Sequence, residues 1–167
     1  LTPTRKGTCG TILLNRELRE RINPAGYNKK ELTFRDTVFR EGDKVMQIRN
    51  DYELEWTSDD KDGSGVFNGD IGFIESINYA EQCMEIMFDD RHTVYDLSIL
   101  DELEHAYAVT VHKSQGSEYD YVIIPLCDIP AKLKYRNLLY TAVTRAKNMV
   151  VLVGRSDIPR KMTDNNR

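Results

Sequence analysis

The stretch AYAVTVHKSQGSEYDYVIIPL, residues 106–126, decides the fold class of this chain. Two short β-branched apolar runs flank a polar middle, which predicts a buried strand, a turn and a second buried strand. A turn that only reverses the chain needs Gly, Asn, Asp or Pro. This turn instead carries hydroxyl, imidazole, ammonium, amide and carboxylate groups between Thr110 and Glu118. Such groups at a strand end of an open α/β sheet indicate a ligand-binding edge.

The residues that follow extend the α/β pattern. KLKYRNLLYTAVTRAKN, residues 132–148, has helical periodicity, and MVVLVG, residues 149–154, has the composition of a buried strand. We therefore expect a parallel sheet covered by helices. Residues 156–167 are polar and are expected to form a flexible tail.

An amphipathic helix is predicted near the start of the chain, over TILLNRELRERI, residues 11–22. Leu14, Leu18 and Ile22 recur at every fourth position and form one apolar face. Arg19 falls on the opposite face, which is expected to be solvated. The Asn-Pro pair that follows ends the helix, because a residue before proline avoids the α conformation.

The middle of the chain, residues 33–103, has the sequence pattern of several short strands separated by turns, which predicts a small β-barrel. Asn68-Gly69 is a hairpin signal, and two alternating segments predict strands on either side of a turn at Asp89-Asp90. The polar, glycine-containing stretch over residues 51–65 is predicted to be a mobile loop.

Charge is unevenly distributed along the chain. Residues 1–32 carry a net charge of +4, residues 33–103 a net charge of −12, and residues 104–155 a net charge of +3. A basic–acidic–basic layout indicates that the middle is a separate unit inserted into a basic outer domain. The predicted outer domain therefore has two sequence pieces, residues 1–32 and 104–155. Residues 33–103 form the inserted domain, and residues 156–167 form the tail.

Composition excludes several classes of protein. Hydrophobic residues make up 40% and charged residues 30% of the chain, and no apolar run is long enough to span a membrane. The three cysteines, Cys9, Cys83 and Cys127, are far apart and form no CxxC pair. This pattern indicates reduced thiols in a cytoplasmic protein and predicts no zinc or other metal site.

Two long motifs carry a family resemblance. TVHKSQGSEYDYVIIPL followed by LLYTAVTRAKNMVVLVG resembles the last two motifs of superfamily 1 DNA helicases. GDKVMQIRND and VFNGDIG in the middle segment, and the opening TPTRKGTCGTILLNRELRERINP, resemble the RecD-like branch, the family of the exodeoxyribonuclease V alpha subunit. The resemblance covers residues 1 to about 155.

This resemblance implies the second motor domain of such an enzyme. The implied fold is α/β: a RecA-like (P-loop NTPase-type) parallel-sheet domain in two sequence pieces, with an inserted small SH3-like β-barrel. The motor of this family opens and closes two RecA-like domains around ATP and thereby steps along single-stranded DNA.

The resemblance also implies a nucleotide site. Arg145 matches the arginine that stabilises charge on the γ-phosphoryl group, an effect worth about 10³–10⁵ in rate. Gln115, Gly116 and Glu118 match positions near the nucleotide. The alternatives are an exposed helical arginine for Arg145 and a surface carboxylate at a helix start for Glu118.

DNA-facing positions are implied at both the turn and the barrel. Thr110, His112 and Lys113 carry donors for phosphate oxygens, which position DNA without reading its sequence. The alternatives are a strand threonine and a structural histidine. In the barrel, the positions that match DNA contacts are Arg49, Asn50 and Asn68.

Two features of the barrel segment each have two interpretations. Asn68, with the Gly-Asp pair after it, is as well explained by a hairpin turn as by DNA contact. Tyr52, Trp56 and Phe67 are aromatic side chains on which a base can stack, and core packing explains them equally well.

The sequence lacks a GxxxxGK[ST] phosphate loop and a Walker B acid pair. We therefore expect a fragment that binds no cofactor tightly and does not hydrolyse ATP alone. ATP and Mg²⁺ belong to the full-length protein. The expected partners are single-stranded DNA, ATP, the N-terminal motor domain of the same protein and nuclease-complex subunits, with no membrane partner.

Two other functions compete with the motor. One is a non-catalytic SH3-like protein-interaction module on an α/β scaffold, and the other is the single-stranded-DNA-binding half of a nuclease-complex subunit. The turn over 110–118 and Arg145 favour the motor, because a recruitment module needs neither.

Overall fold

The computed structural model describes residues 1–127 and 129–166. The chain forms two compact units: Leu1–Glu17 with Ala108–Arg167, called here the α/β unit, and Leu18–Tyr107, called the β unit. The predicted domain boundaries lie at other residues and stay a prediction.

Three helices and eleven strands occur in the described residues. In chain order they are α1 Thr11–Ile22, β1 Glu31–Phe34, β2 Thr37–Arg40, β3 Lys44–Gln47, β4 Asp51–Thr57, β5 Asp62–Val66, β6 Ile71–Asn78, β7 Cys83–Phe88, β8 Arg91–Asp96, β9 Leu103–His105, β10 Tyr119–Leu126, α2 Arg136–Val143, β11 Ala146–Gly154 and α3 Asp157–Thr163. Short 3-10 turns occur at Leu100–Glu102 and Ala131–Leu133. None of the described helices is both long enough and apolar enough to cross a bilayer.

Helix α1 has the predicted limits, but its buried face differs from the prediction. Ile22, expected on the apolar face, is 65% exposed, whereas Arg19, expected in solvent, is only 9% exposed. Asn23, just beyond the helix, is also buried. The reason is that the last turn of α1 binds a buried carboxylate of the β unit.

That carboxylate belongs to Asp43, which is fully buried in the turn between β2 and β3. Arg19 Nε donates to both carboxylate oxygens, at 2.9 and 2.8 Å. Asn23 Nδ2 donates to Oδ1 at 2.8 Å, and the backbone N–H of Arg40 donates to Oδ2 at 2.8 Å. A buried charge needs this degree of compensation to be tolerated.

Two side chains from the end of the β unit complete the shell of Asp43. His105 Nε2 lies 3.1 Å from Oδ2, and the Tyr107 hydroxyl donates to Oδ1 at 3.0 Å. Burial by itself raises the pKa of the Asp43 carboxyl, but hydrogen bonds from His105 and Asn23 and the charges of His105 and Arg19 hold the pKa below its ordinary value. Asp43 therefore stays ionised and joins α1 to β3 and β9.

The β unit contains a seven-stranded antiparallel sheet in the order β5-β4-β8-β7-β6-β3-β9. A separate β1–β2 hairpin adds Phe39 to the same core. The other buried core residues are Val45, Val66, Ile74, Ile77, Met84, Ile86, Phe88, Tyr95, Leu100 and Leu103. The short strands predicted from the sequence are present, and β7 and β8 pair around the predicted Asp89-Asp90 turn.

Two predictions for the β unit are wrong. Most of the expected mobile loop over residues 51–65 belongs to β4 and β5, which pair with each other. Gly63 lets the two strands close, because a Cβ there would lie 2.5 Å from the Trp56 ring. The Asn68-Gly69 turn connects β5 to β6, yet these strands pair with other neighbours and form no hairpin.

The α/β unit contains a two-stranded parallel sheet, β10 with β11, in which Val122 lies opposite Val150. One face of β10 packs on α2 and α3. The buried residues of this core are Val111, Val122, Ile124, Leu126, Ile129, Leu138, Leu139, Ala142, Ile158 and Met162.

Three predictions for the α/β unit need correction. Residues 106–111 form no strand, and Thr110 makes only an isolated parallel bridge to Thr2. The helix predicted over 132–148 is shorter, since α2 ends at Val143 and β11 begins at Ala146.

The third correction concerns the end of the chain. Residues 157–163 of the predicted flexible tail form α3, because Ile158 and Met162 are buried against the core.

Strand β11 is present as predicted but largely exposed, since only β10 pairs with it among the described residues. A mixed α/β architecture is confirmed, and the RecA-like arrangement in two pieces stays a prediction.

We expect Asp43→Asn to lower the free energy of unfolding by about 3–5 kcal/mol, because it removes the buried counter-charge of the Arg19 guanidinium and leaves it only the exposed Glu20 carboxylate at 3.6 Å. Urea denaturation followed by circular dichroism at neutral pH measures this change. Asp36→Asn, which alters an exposed carboxylate of the same unit, is the control and should shift stability by no more than about 0.5 kcal/mol.

The pH dependence of the Asp43→Asn effect gives a second readout. Because the folded pKa of Asp43 lies below its ordinary value of 3.8, its contribution is complete above that value and is lost as the pH falls below it. The stability difference between the wild type and Asp43→Asn should therefore shrink on acidification. A difference that stays constant between neutral pH and strong acid would contradict this assignment.

Candidate functional site

The polar turn of the α/β unit closes on its own backbone. The Ser114 N–H donates to the Thr110 carbonyl at 3.1 Å, and the Lys113 N–H donates to Thr110 Oγ1 at 3.2 Å. Ser114 is fully buried, and its hydroxyl donates to the Val111 carbonyl at 2.9 Å. These short-range bonds satisfy the backbone of the turn without a ligand. His112 is exposed and Lys113 is half-buried.

Gly116 ends the turn with a φ of +90°, a conformation that L side chains rarely adopt. No atom lies within 4 Å of the position that a Cβ would take. The glycine is thus required by backbone conformation and not by crowding. The open space beside it, next to the exposed Gln115, allows a ligand to approach the backbone.

Arg145 lies in the turn between α2 and β11, two residues beyond the helix end. Its Nη1 donates to the Ser117 carbonyl at 3.3 Å, and its Nε donates to the Thr141 carbonyl at 3.3 Å. Its own carbonyl accepts the Tyr119 N–H at 2.8 Å. Thr141 and Arg145 both fall within the helix predicted over residues 132–148. The structure keeps the two residues in contact, although the arginine is outside the helix.

Glu118 lies beside this arginine turn and is exposed. Its carboxylate pairs with Lys147 Nζ at 3.4 Å, and both side chains are more than half exposed. Exposed pairs of this kind contribute about 0–1 kcal/mol, so a ligand can compete for the carboxylate. Nearby, burial raises the pKa of the Tyr119 hydroxyl, against the opposing effects of Ser117 and the Arg145 charge.

The structure therefore brings the predicted nucleotide-facing and DNA-facing residues of the α/β unit into one region. The polar turn and the Arg145 turn meet through hydrogen bonds at Ser117 and Tyr119. The roles of the individual residues stay predictions. Sequence reasoning did not single out Ser114, Ser117 or Lys147. Only Ser114 had a usable signal, since a serine inside a polar turn commonly bonds back to the backbone.

A second group of predicted residues lies in the β unit. Asn50 Oδ1 accepts the Asn68 N–H at 2.9 Å, and Asn50 Nδ2 donates to the Tyr52 hydroxyl at 3.3 Å. Tyr52 and Phe67 meet edge to face, with ring centroids 5.6 Å apart, and both rings are exposed. Core packing does not explain these two aromatics, whereas Trp56 is half-buried.

Arg49 is exposed beside this cluster, but carboxylates surround it. Its Nη1 lies 3.5 Å from Asp101 Oδ2 and 4.0 Å from Glu102 Oε1. A guanidinium that already has two acidic neighbours attracts phosphate weakly.

The described residues do not form a metal site. In residues 1–127 and 129–166, no group of three or more His, Cys, Asp or Glu side chains is arranged to hold a metal ion. The described residues therefore do not fit Mg²⁺.

Two family models match the chain in succession. The SH3 domain of ATP-dependent RecD-like DNA helicases matches residues 14–88, and the UvrD-like helicase C-terminal domain matches residues 105–153. The first match falls mainly on the β unit and the second mainly on the α/β unit, and together they define a chain of the helicase class.

Curated relatives identify the branch. The ATP-dependent RecD2 DNA helicase of Deinococcus radiodurans is 33% identical over 154 residues, which cover 92% of this chain and 19% of that protein. The RecBCD enzyme subunit RecD of Mycolicibacterium smegmatis is 34% identical over 113 residues, which cover 68% of this chain and 18% of that protein. This chain belongs to the RecD-like helicase family, and the family resemblance predicted from the sequence is confirmed. The chain spans less than a fifth of the length of these relatives.

A solved structure has a similar fold. The Bacteroides Pif1 helicase in complex with ADP-AlF3 and ssDNA superposes with a TM-score of 0.58 at 16% identity, covering 97% of this chain and 41% of that chain. At this identity the likeness supports the fold alone.

We expect Gly116→Val to destabilise the α/β unit by about 1–3 kcal/mol, because a β-branched side chain is strained at this positive φ. Gly116→Asn is the matched control at the same position and should cost less, since asparagine tolerates positive φ better. Thermal unfolding of both variants measures the difference. Equal stability of the two would contradict the conformational requirement.

Proposed function

We propose that this chain is the C-terminal motor domain of an ATP-dependent RecD-like DNA helicase, which translocates on single-stranded DNA and unwinds duplex in cytoplasmic DNA repair and recombination. Membership of the RecD-like family and the order of the two family models support this function. The proposed architecture is a RecA-like domain in two pieces with an inserted SH3-like barrel. Because the chain spans a small part of its relatives, the activity of the whole protein belongs to the proposal.

The observation that carries the proposal is the contact between Arg145 and the Ser117 carbonyl. Arg145 is the proposed nucleotide-sensing residue, and Ser117 belongs to the turn that begins at Thr110. A guanidinium that leaves its carbonyl partners for a phosphoryl group frees the backbone of that turn. Occupancy of the nucleotide site is thereby linked to the geometry of the DNA-facing residues.

The nucleotide side of the site consists of Arg145, Gln115, Gly116 and Glu118. ATP supplies the γ-phosphoryl group, whose negative charge the Arg145 guanidinium stabilises. Gln115 offers an amide, and Glu118 accepts hydrogen bonds from a ribose hydroxyl. Gly116 lets the ligand approach the backbone.

The DNA side consists of Thr110, His112 and Lys113, whose hydroxyl, imidazole and ammonium groups donate to phosphate oxygens. Contacts of this kind hold a strand without reading its sequence, as a translocating motor requires. In the β unit we propose a further DNA contact through Asn50 and Asn68. The residue next to them, Arg49, contributes little because Asp101 and Glu102 oppose its charge.

The proposed partners follow from what this chain does not supply. The sequence has no phosphate loop, so the N-terminal motor domain of the same protein provides the rest of the nucleotide site and the Mg²⁺ ligands. Subunits of a nuclease complex are a second class of proposed partner. A non-catalytic recruitment module gives no role to the Arg145–Ser117 contact.

We expect this chain to bind oligo-dT with an affinity that falls as the salt concentration rises. Lys113→Ala should reduce the slope of log K against log salt by about 0.7, which is the value for one phosphate contact on a single strand. Fluorescence anisotropy between low and moderate salt measures the slope. Lys132→Ala, which removes an exposed lysine of the same unit, should leave the slope unchanged. Binding that is absent or insensitive to salt counts against the proposed DNA path.

We expect no ATP hydrolysis by this chain alone, because nothing in it cradles the β- and γ-phosphates. A coupled ATPase assay with Mg²⁺ and oligo-dT tests this expectation. Turnover that persists through purification and disappears in Arg145→Ala would show that the chain is a complete catalyst, contrary to the proposal.

A further inference from the structure

The loop between α1 and β1 of the β unit forms an open groove, and none of the proposed nucleotide-binding or DNA-binding residues lines it. Its volume is about 510 Å³. The lining residues are Ala25, Gly26, Tyr27, Lys29, Glu31 and Tyr79. Tyr27 is fully exposed, and Tyr79 is 56% exposed. Two exposed tyrosines in one groove have no role in the core of the unit.

One wall of the groove is held rigidly. The Tyr79 hydroxyl accepts the Glu31 N–H at 3.1 Å. Lys30 Nζ lies 5.8 Å from the centre of the Tyr79 ring and donates to the Ile77 carbonyl at 2.9 Å. These contacts orient the Tyr79 ring before any ligand binds, which lowers the entropy cost of binding.

The charge of the groove is positive. Lys29 lines the groove, where its ammonium also donates to the Asn23 side-chain oxygen, and Lys30 lies next to it. Residues 18–32, the part of the β unit that leads into β1, carry a net charge of +2. The carboxylate of Glu31 is paired with Arg40 Nε at 2.6 Å, so its charge is neutralised. In contrast, residues 33–103, which form most of the β unit, carry a net charge of −12.

The Tyr52–Phe67 cluster provides an internal comparison, because it also exposes two aromatic rings. Acidic residues precede and follow these rings in the chain, namely Asp51, Glu53 and Asp70. A polyanion is attracted more strongly to the lysine groove than to this cluster, where the proposed contacts through Asn50 and Asn68 are uncharged. Charge complementarity therefore distinguishes two surfaces of similar aromatic content.

We propose that the groove binds single-stranded DNA, with one base stacked on Tyr27 against the wall formed by Tyr79 and the adjacent phosphate held by Lys29. An aromatic platform beside cations is the arrangement that binds single strands without sequence preference. The inference rests on the proposed function for the identity of the occupant. It adds a stacking contact on the β unit to the phosphate contacts of the α/β unit.

The test uses this chain and oligo-dT that carries a single 2-aminopurine, whose fluorescence is quenched by stacking. Tyr27→Ala should weaken binding by about 5- to 150-fold and abolish the quenching that depends on the groove. Tyr27→Phe keeps the ring and should retain both. Lys29→Gln should reduce the salt slope by about 0.7.

Tyr121→Ala is the matched control, because it removes an exposed tyrosine of the α/β unit that has no assigned role. It should change neither affinity nor quenching. Circular dichroism of Tyr27→Ala should match the wild type, since the side chain makes no core contact.

The outcomes separate this inference from the proposed function. If Lys113→Ala weakens binding and Tyr27→Ala does not, the groove inference is overturned and the motor proposal stands. If Tyr27→Ala weakens binding and Lys113→Ala does not, the groove stands and the DNA path at the polar turn is overturned. Binding of poly-glutamate in place of DNA, sensitive to Tyr27→Ala, would reassign the groove to an acidic protein segment.

Discussion

The buried carboxylate of Asp43 is the constraint on which the β unit depends. It accepts hydrogen bonds from the end of α1, from the backbone at β2 and from side chains at the end of the unit. A charge without solvent is tolerated only when every oxygen lone pair has a donor. Segments far apart in sequence must therefore meet at one point, which sets where α1 ends against the sheet.

A second, smaller constraint organises the α/β unit. The polar turn satisfies its backbone through Thr110 and Ser114, and Arg145 closes it from the side through Ser117. A turn built in this way keeps its backbone conformation without help from a ligand. The arginine donates to two carbonyls, and in the proposed function a phosphoryl group replaces these acceptors when nucleotide binds.

Electrostatics divides the surface of the β unit into two kinds of region. The acidic sheet attracts a phosphate backbone less than the lysine groove does, even where the sheet exposes aromatic rings, as at Tyr52 and Phe67. The loop before β1 combines Tyr27 with Lys29 and lies outside the acidic stretch. Under the proposed function, charge decides the path of a single strand over this unit more than aromatic content does.

The sequence by itself determined the local elements and the order of the motifs. Helix α1 was predicted to the residue, because its periodicity and the Asn-Pro stop act within a few residues. Strands β10 and β11 and the Asp89-Asp90 turn were predicted for the same reason. The family also followed from the sequence, since the motif residues are contiguous.

Only the tertiary structure decided which residues are buried and what closes the site. Arg19 is buried and Ile22 exposed, against their hydrophobicity, because a distant carboxylate binds the arginine. Residues 157–163 are helical because Ile158 and Met162 pack in the core of the α/β unit. Arg145 leaves the helix to bond Ser117, 28 residues earlier in the chain. These outcomes depend on contacts between distant segments, which no local pattern encodes.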